Sequence, residues 1–99
     1  MLNITKETND GNLKFVLEGR LDTTTAPQLE EAVNSSIAGI TNLCFDFAKL
    51  EYISSAGLRV LLSTQKKMNT QGKMNIVNVP ESIVEVFEVT GFADILNIQ

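Results

Sequence analysis

Tyr52-Ile53-Ser54-Ser55-Ala56-Gly57-Leu58-Arg59-Val60-Leu61-Leu62 is the stretch on which the fold turns. Two serines and a small pair, Ala56-Gly57, open a helix immediately after a strand and loop. Apolar spacing carries that helix from Ser55 to about Gln71, where Gly72 stops it. Leu58, Leu61, Leu62 and Met68 form its inward face, and Arg59, Ser63, Lys66 and Lys67 face water. A glycine in a first helical turn costs up to about 1 kcal/mol relative to alanine. A helix needing only a cap would not require it, so Gly57 points to close approach of a backbone or of a bulky group on a neighbouring serine. The free amides and positive dipole end of a helix start suit a phosphate. Spacing alone favours a plainer reading, in which Ser54 or Ser55 caps the helix and Gly57 packs against a sheet, because serine caps are common.

Upstream, Leu43-Cys44-Phe45-Asp46-Phe47 reads as a short buried strand. Before it, Leu29, Ala32, Val33, Ser36 and Ile37 recur at helical spacing, with Pro27 in the first turn and Gly39 closing the helix. Thr25 and Gln28, three positions apart, resemble a capping box. Gly19-Arg20-Leu21-Asp22-Thr23-Thr24-Thr25 reads as a polar loop. The chain begins with a hairpin: Ile4-Thr5-Lys6 and Leu13-Lys14-Phe15-Val16-Leu17 flank Asn9-Asp10-Gly11-Asn12, a strong turn signal. Downstream, Lys73 to Val79 alternates as a strand, and Pro80 opens a third helix with Ile83, Val84 and Phe87 inward, closed by Gly91. Phe92 to Leu96 suits a last helical turn before a short terminal strand. The order β-β-α-β-α-β-α predicts one α/β domain over residues 1–99. Its mixed sheet has four to five strands, antiparallel at the hairpin and otherwise mainly parallel, with three to four helices packed on it.

Composition removes several functions. The 99 residues carry eight basic and twelve acidic side chains, net charge −4, and the basic ones are scattered, so nucleic acid is not an expected ligand. No apolar run approaches the roughly 20 residues that cross a bilayer, and the N-terminus lacks a secretory pattern, so a cytoplasmic protein without direct membrane insertion is expected. There is no histidine and one cysteine, Cys44, which rules out a Ser-His-Asp triad, an internal disulfide and the usual zinc ligand sets. Ser63-Thr64-Gln65-Lys66 matches Ser-x-x-Lys but falls mid-helix, on a solvated face. No phosphate-binding glycine loop is present. Neither catalytic residues, nor a metal, nor a cofactor is expected.

The segment Tyr52 to Leu62 resembles the signature of the STAS domain family, which includes anti-sigma factor antagonists and the cytoplasmic tails of sulfate transporters. Gly19-Arg20-Leu21-Asp22 is similar to the family's Gly-x-Leu-Asp loop, and Phe45-Asp46-Phe47 falls where the family has an aspartate-bearing strand. The short length is similar to the stand-alone antagonists. The resemblance implies that Ser55, two positions before the glycine, accepts phosphate from an anti-sigma factor that is itself a serine kinase, with Ser54 the second candidate. The unphosphorylated form would bind that kinase and free a sigma factor, phosphorylation would end the binding, and a phosphatase acting on phosphoserine would restore it. Asp22, Thr23, Ser54, Ser55, Ala56, Gly57 and Arg59 would form the partner-binding surface. Asp22 would shape that surface, hydrogen-bond its own loop, or both. Arg59 is open to pairing with a phosphate or a partner carboxylate. Where many antagonists have aspartate before the acceptor, this chain has Ser54, and Ala56 replaces a frequent serine or threonine. These departures leave a second possibility, a structural subunit of a lipid-transporting ABC complex. An enzyme is the weakest reading.

Overall fold

The computed structural model describes all 99 residues. Strands β1 (Leu2–Asn9) and β2 (Asn12–Leu21) form the hairpin, followed by α1 (Ala26–Ser36), β3 (Asn42–Ile53), α2 (Ser55–Asn69), β4 (Lys73–Val77) and α3 (Glu81–Thr90), with a 3-10 turn at Phe92–Asp94. The sheet order is β1-β2-β3-β4; β1 pairs antiparallel with β2, and the other pairs are parallel. This is the mixed sheet that the element order predicts. The hairpin closes through Asp10 and Gly11 alone, with φ of 46° and 83°. Two consecutive positive φ values twist the turn in the sense that flanking strands require, and Asp-Gly supplies them at low cost.

Alternate residues of three strands enter the core: Leu13, Phe15 and Leu17 from β2, Leu43, Phe45 and Phe47 from β3, Met74 and Ile76 from β4. The intervening Lys14, Cys44, Asp46 and Asn75 lie half-buried on the opposite face. Stacked and tilted rings run across the buried face from Phe15 to Phe45 (5.6 Å between centroids), to Phe47 (6.3 Å) and to Phe87 of α3 (6.4 Å). These belong to a single apolar cluster of 24 buried residues, to which α1 adds Leu29 and Val33 and α2 adds Leu58, Leu61 and Met68.

The strands are longer than their apolar runs. β3 has twelve residues rather than five, and β2 reaches Leu21, so Gly19-Arg20-Leu21 is strand and not loop. Two register shifts, between Val16 and Glu18 and between Gly19 and Arg20, let the twelve residues of β3 face the ten of β2. At the first, Asp46 accepts a hydrogen bond from the Ala48 amide at 2.9 Å, a side chain standing in where the ladder is interrupted. Such irregularity hides a strand from a search for strict alternation.

Other expectations need correction. Thr25 makes no capping hydrogen bond to α1; its hydroxyl donates to the Arg20 carbonyl at 2.8 Å and accepts from the Asp22 amide at 2.8 Å, and Gln28 reaches the Leu2 carbonyl at 3.0 Å. The capping box is therefore not formed, because both side chains fasten α1 to the hairpin instead. On α2, Leu62 is only half-buried, whereas Val60, Thr64 and Gln65 are buried, since α2 packs on α1 as well as on the sheet. The Thr64 hydroxyl is satisfied by donating to the Val60 carbonyl at 2.7 Å. Val84 is half-buried while Ile83 and Phe87 are buried. β4 ends at Val77, because Asn78 adopts a left-handed φ of 55°. The expected terminal strand is one bridge, Ile76 to Ile98.

Candidate functional site

The C-terminal ends of β2 and β3 deliver Leu21 and Ile53 side by side, and the chain leaves them as the Asp22 loop and the start of α2. The Ser54 amide donates to the Leu21 carbonyl at 2.9 Å, tying the two exits together. Ser54 has extended backbone geometry, and its Oγ accepts from the Gly57 amide at 3.4 Å, so Ser54 caps the helix. Ser55 is the first helical residue, exposed, with its hydroxyl outside the capping bond. The two serines thus divide roles that spacing left open: one closes the helix start and the other presents a free hydroxyl.

Gly57, expected on the partner surface, is buried. A Cβ there would lie 2.7 Å from Cγ of Leu21 and 3.0 Å from Cγ1 of Ile53. Its smallness serves internal packing, letting α2 begin directly against the two strand ends; any influence on a partner passes through Ser55 and Ala56. Ala56 is half-buried, and Arg59 and Thr23 are exposed.

Asp22 is engaged within its own loop. Its Oδ1 accepts from the Thr24 hydroxyl at 2.7 Å, the Thr24 amide at 3.0 Å, and the Thr25 amide at 3.1 Å, and its Oδ2 lies 3.8 Å from Nε of Arg20. The Thr24 hydroxyl bond, aided by the two amides and opposed by partial burial, holds the carboxyl below the usual aspartate range. A depressed folded-state pKa gives stability that is present above the unfolded value and is lost as pH falls through the folded one. We expect Asp22→Asn to lose this acid-side dependence. Comparing the denaturant midpoints of both proteins from neutral pH to below the Asp22 titration checks it, and parallel curves would refute it.

Sequence reasoning missed Arg20 and Tyr52. The guanidinium of Arg20 sits 4.2 Å from the centre of the Tyr52 ring, and Tyr52 is 41% exposed. The pair is aligned only because of the two register shifts, so no local pattern announces it. Thr23, Ala26, Glu30, Ala56, Arg59 and Lys66 line an open groove of about 500 Å³ between α1 and α2. Lys66, expected to face water, is thus part of the groove wall, with Glu30 of α1 also in the lining.

The arrangement offers an exposed hydroxyl, a groove and charged side chains, which suits recognition. No group of three or more potential metal-ligating side chains forms anywhere. Cys44 lies away from this end, and burial pushes its thiol up, which leaves it a poor nucleophile. No helix is long and apolar enough to cross a membrane.

A family model described as the STAS domain matches residues 3–99. This chain belongs to the STAS domain family. Among STAS relatives, it is 34% identical to BtrV of Bordetella bronchiseptica over 96 residues, covering 95% of this chain and 83% of that protein. It is 32% identical over 99 residues to the anti-sigma-B factor antagonist of Staphylococcus epidermidis, covering 98% and 92%. An anti-sigma factor antagonist from Mycobacterium paratuberculosis superposes with a TM-score of 0.89 at 24% identity, covering 99% of this chain and 85% of that one. The unphosphorylated form of the antagonist SpoIIAA superposes at 0.78 with 18% identity, covering 98% and 87%. These two structures share the STAS fold with this chain.

Proposed function

We propose that this protein is an anti-sigma factor antagonist whose docking is switched by phosphorylation of Ser55. The observation that carries the reading is the division of labour between the two serines. Ser54 supplies the cap, so Ser55 can take a phosphate without the helix losing its closing hydrogen bond. In the transfer, the Ser55 oxygen bonds to the γ-phosphorus of ATP as the bond to the bridging oxygen breaks. ADP leaves, and the serine proton passes to a base on the kinase. The modification adds about −1.5 to −2 charge to an exposed surface that a partner must cover. The name of the Staphylococcus relative supports the class of partner, and the inferred partners are an anti-sigma factor serine kinase and a phosphatase that removes the group. The protein itself acts by binding, in the cytoplasm, rather than by turnover. The alternative of a transporter subunit is not favoured, because none of the relatives named above carries a transporter name.

Incubation with the cognate kinase and ATP, followed by site mapping by mass spectrometry, tests the reading. Phosphate should appear on Ser55 in the wild type and in Ser54→Ala, and on neither serine in Ser55→Ala. Loss of the cap in Ser54→Ala should cost about 0.5–1 kcal/mol of stability, the low end for such caps given the long hydrogen bond. Phosphate at Ser54, or at no serine of this segment, would defeat the assignment.

A further inference from the structure

We propose that a phosphate on Ser55 is held by Arg59, which is thereby drawn out of the groove between α1 and α2. The inference rests on Ser55 as the phosphorylation site and adds what the modification does within the molecule.

Arg59 lies one turn after Ser55 on α2, and residues four apart on a helix are surface neighbours, about 5–6 Å between Cβ atoms. Helical side chains lean toward the N-terminus, so the long Arg59 side chain extends over the turn that contains Ser55. Arg59 is exposed and uncommitted: the ion pairs of the chain are Lys14 with Asp46 and Arg20 with Asp22. It already shares the groove wall with Ala56, the residue that follows the proposed acceptor. The other cations fit less well. Arg20 is occupied by Tyr52 and Asp22. Lys66 lines the same groove, but eleven residues along a helix place it about 16 Å from Ser55. A guanidinium also grips a phosphate bidentately, which an ammonium does not.

The pairing changes the groove as well as the serine. Arg59 and Lys66 against Glu30 give the unmodified groove a net charge of 2 − 1 = +1. Adding about −1.5 to −2 at its rim reverses that sign. The same guanidinium that would meet a partner's carboxylate before phosphorylation is then committed to the phosphate. Modification therefore removes an attractive contact as well as introducing a repulsive one.

The test uses the full chain with phosphoserine installed at position 55 by genetic encoding, so it does not depend on any kinase recognising the protein. Titration by ³¹P NMR at low salt should give a second phosphate pKa below the free value of about 6 in the wild-type background. Arg59→Gln should raise it by roughly half a unit, the size expected of an exposed charge pair. Arg59→Lys should fall between the two, and high salt should erase the difference. The Arg59 Nε–H resonance should move with the same midpoint as the phosphorus signal. Equal phosphate pKa values with and without Arg59, or an arginine resonance blind to the titration, would overturn the pairing. Kinase docking, measured separately, would still stand or fall on its own.

Discussion

Ser55→Asp lowers affinity for the anti-sigma factor kinase by roughly tenfold or more, while Ser55→Ala binds as the wild type does and is not released by ATP. The expected loss follows from placing a like or unpaired charge in a covered interface, which costs more than 1 kcal/mol. The fold responds in the opposite direction. Ser55 is the first residue of α2, where a carboxylate meets the positive end of the helix and stabilises it by about 0.3–1 kcal/mol. A titration of both variants against the kinase, paired with denaturant unfolding, separates the effects: weaker binding with equal or higher stability for aspartate. Equal affinity of the two variants would contradict the switch. A less stable Ser55→Asp would show that the hydroxyl is needed by the fold and not by the partner.

The second large effect is structural. Phe47→Ala should destabilise the protein by about 3–5 kcal/mol, the cost of truncating a fully buried phenylalanine. For a chain of this length total stability is on the order of 5–15 kcal/mol, so the variant would approach unfolding at physiological temperature. Phe47 is the ring that joins the sheet to α3, lying between Phe45 and Phe87. The loss should therefore couple to Phe87. In a double-mutant cycle with Phe87→Leu, the combined loss should be smaller than the sum of the single losses by at least 0.5 kcal/mol. Strict additivity would mean that α3 is held by other contacts.

Much of the fold is written in short signals. Asp10-Gly11 marks the hairpin because few other pairs adopt two positive φ values, and the apolar period of α1 and α2 locates both helices and most of their buried faces, although they end at Ser36 and Asn69, short of Gly39 and Gln71. What escaped notice depends on tertiary arrangement. Ala48 to Glu51 have no alternating pattern, yet they belong to β3 because bulges absorb the mismatch with β2. Thr25 and Gln28 have the residue types of a capping box, and their hydrogen bonds went to the hairpin, which local spacing does not reveal. At the site, Ser54 and Ser55 were equally credible caps until the backbone geometry assigned Ser54. Gly57 was legible as an unusual residue, and spacing allowed it to face either a partner or the sheet; the positions of Leu21 and Ile53 decide for the sheet.

The seat of Gly57 has a kinetic consequence. A helix start clasped by two strand ends leaves little backbone freedom to be surrendered when another protein arrives, so the entropic cost of encounter is small. Backbone ordering should then limit arrival in neither form: a difference in arrival rate should come from charge alone and vanish at high salt, and the remaining discrimination should lie in how long each complex lasts. A circuit built on such a part can be reset as fast as the phosphate is exchanged, with no refolding step to wait for.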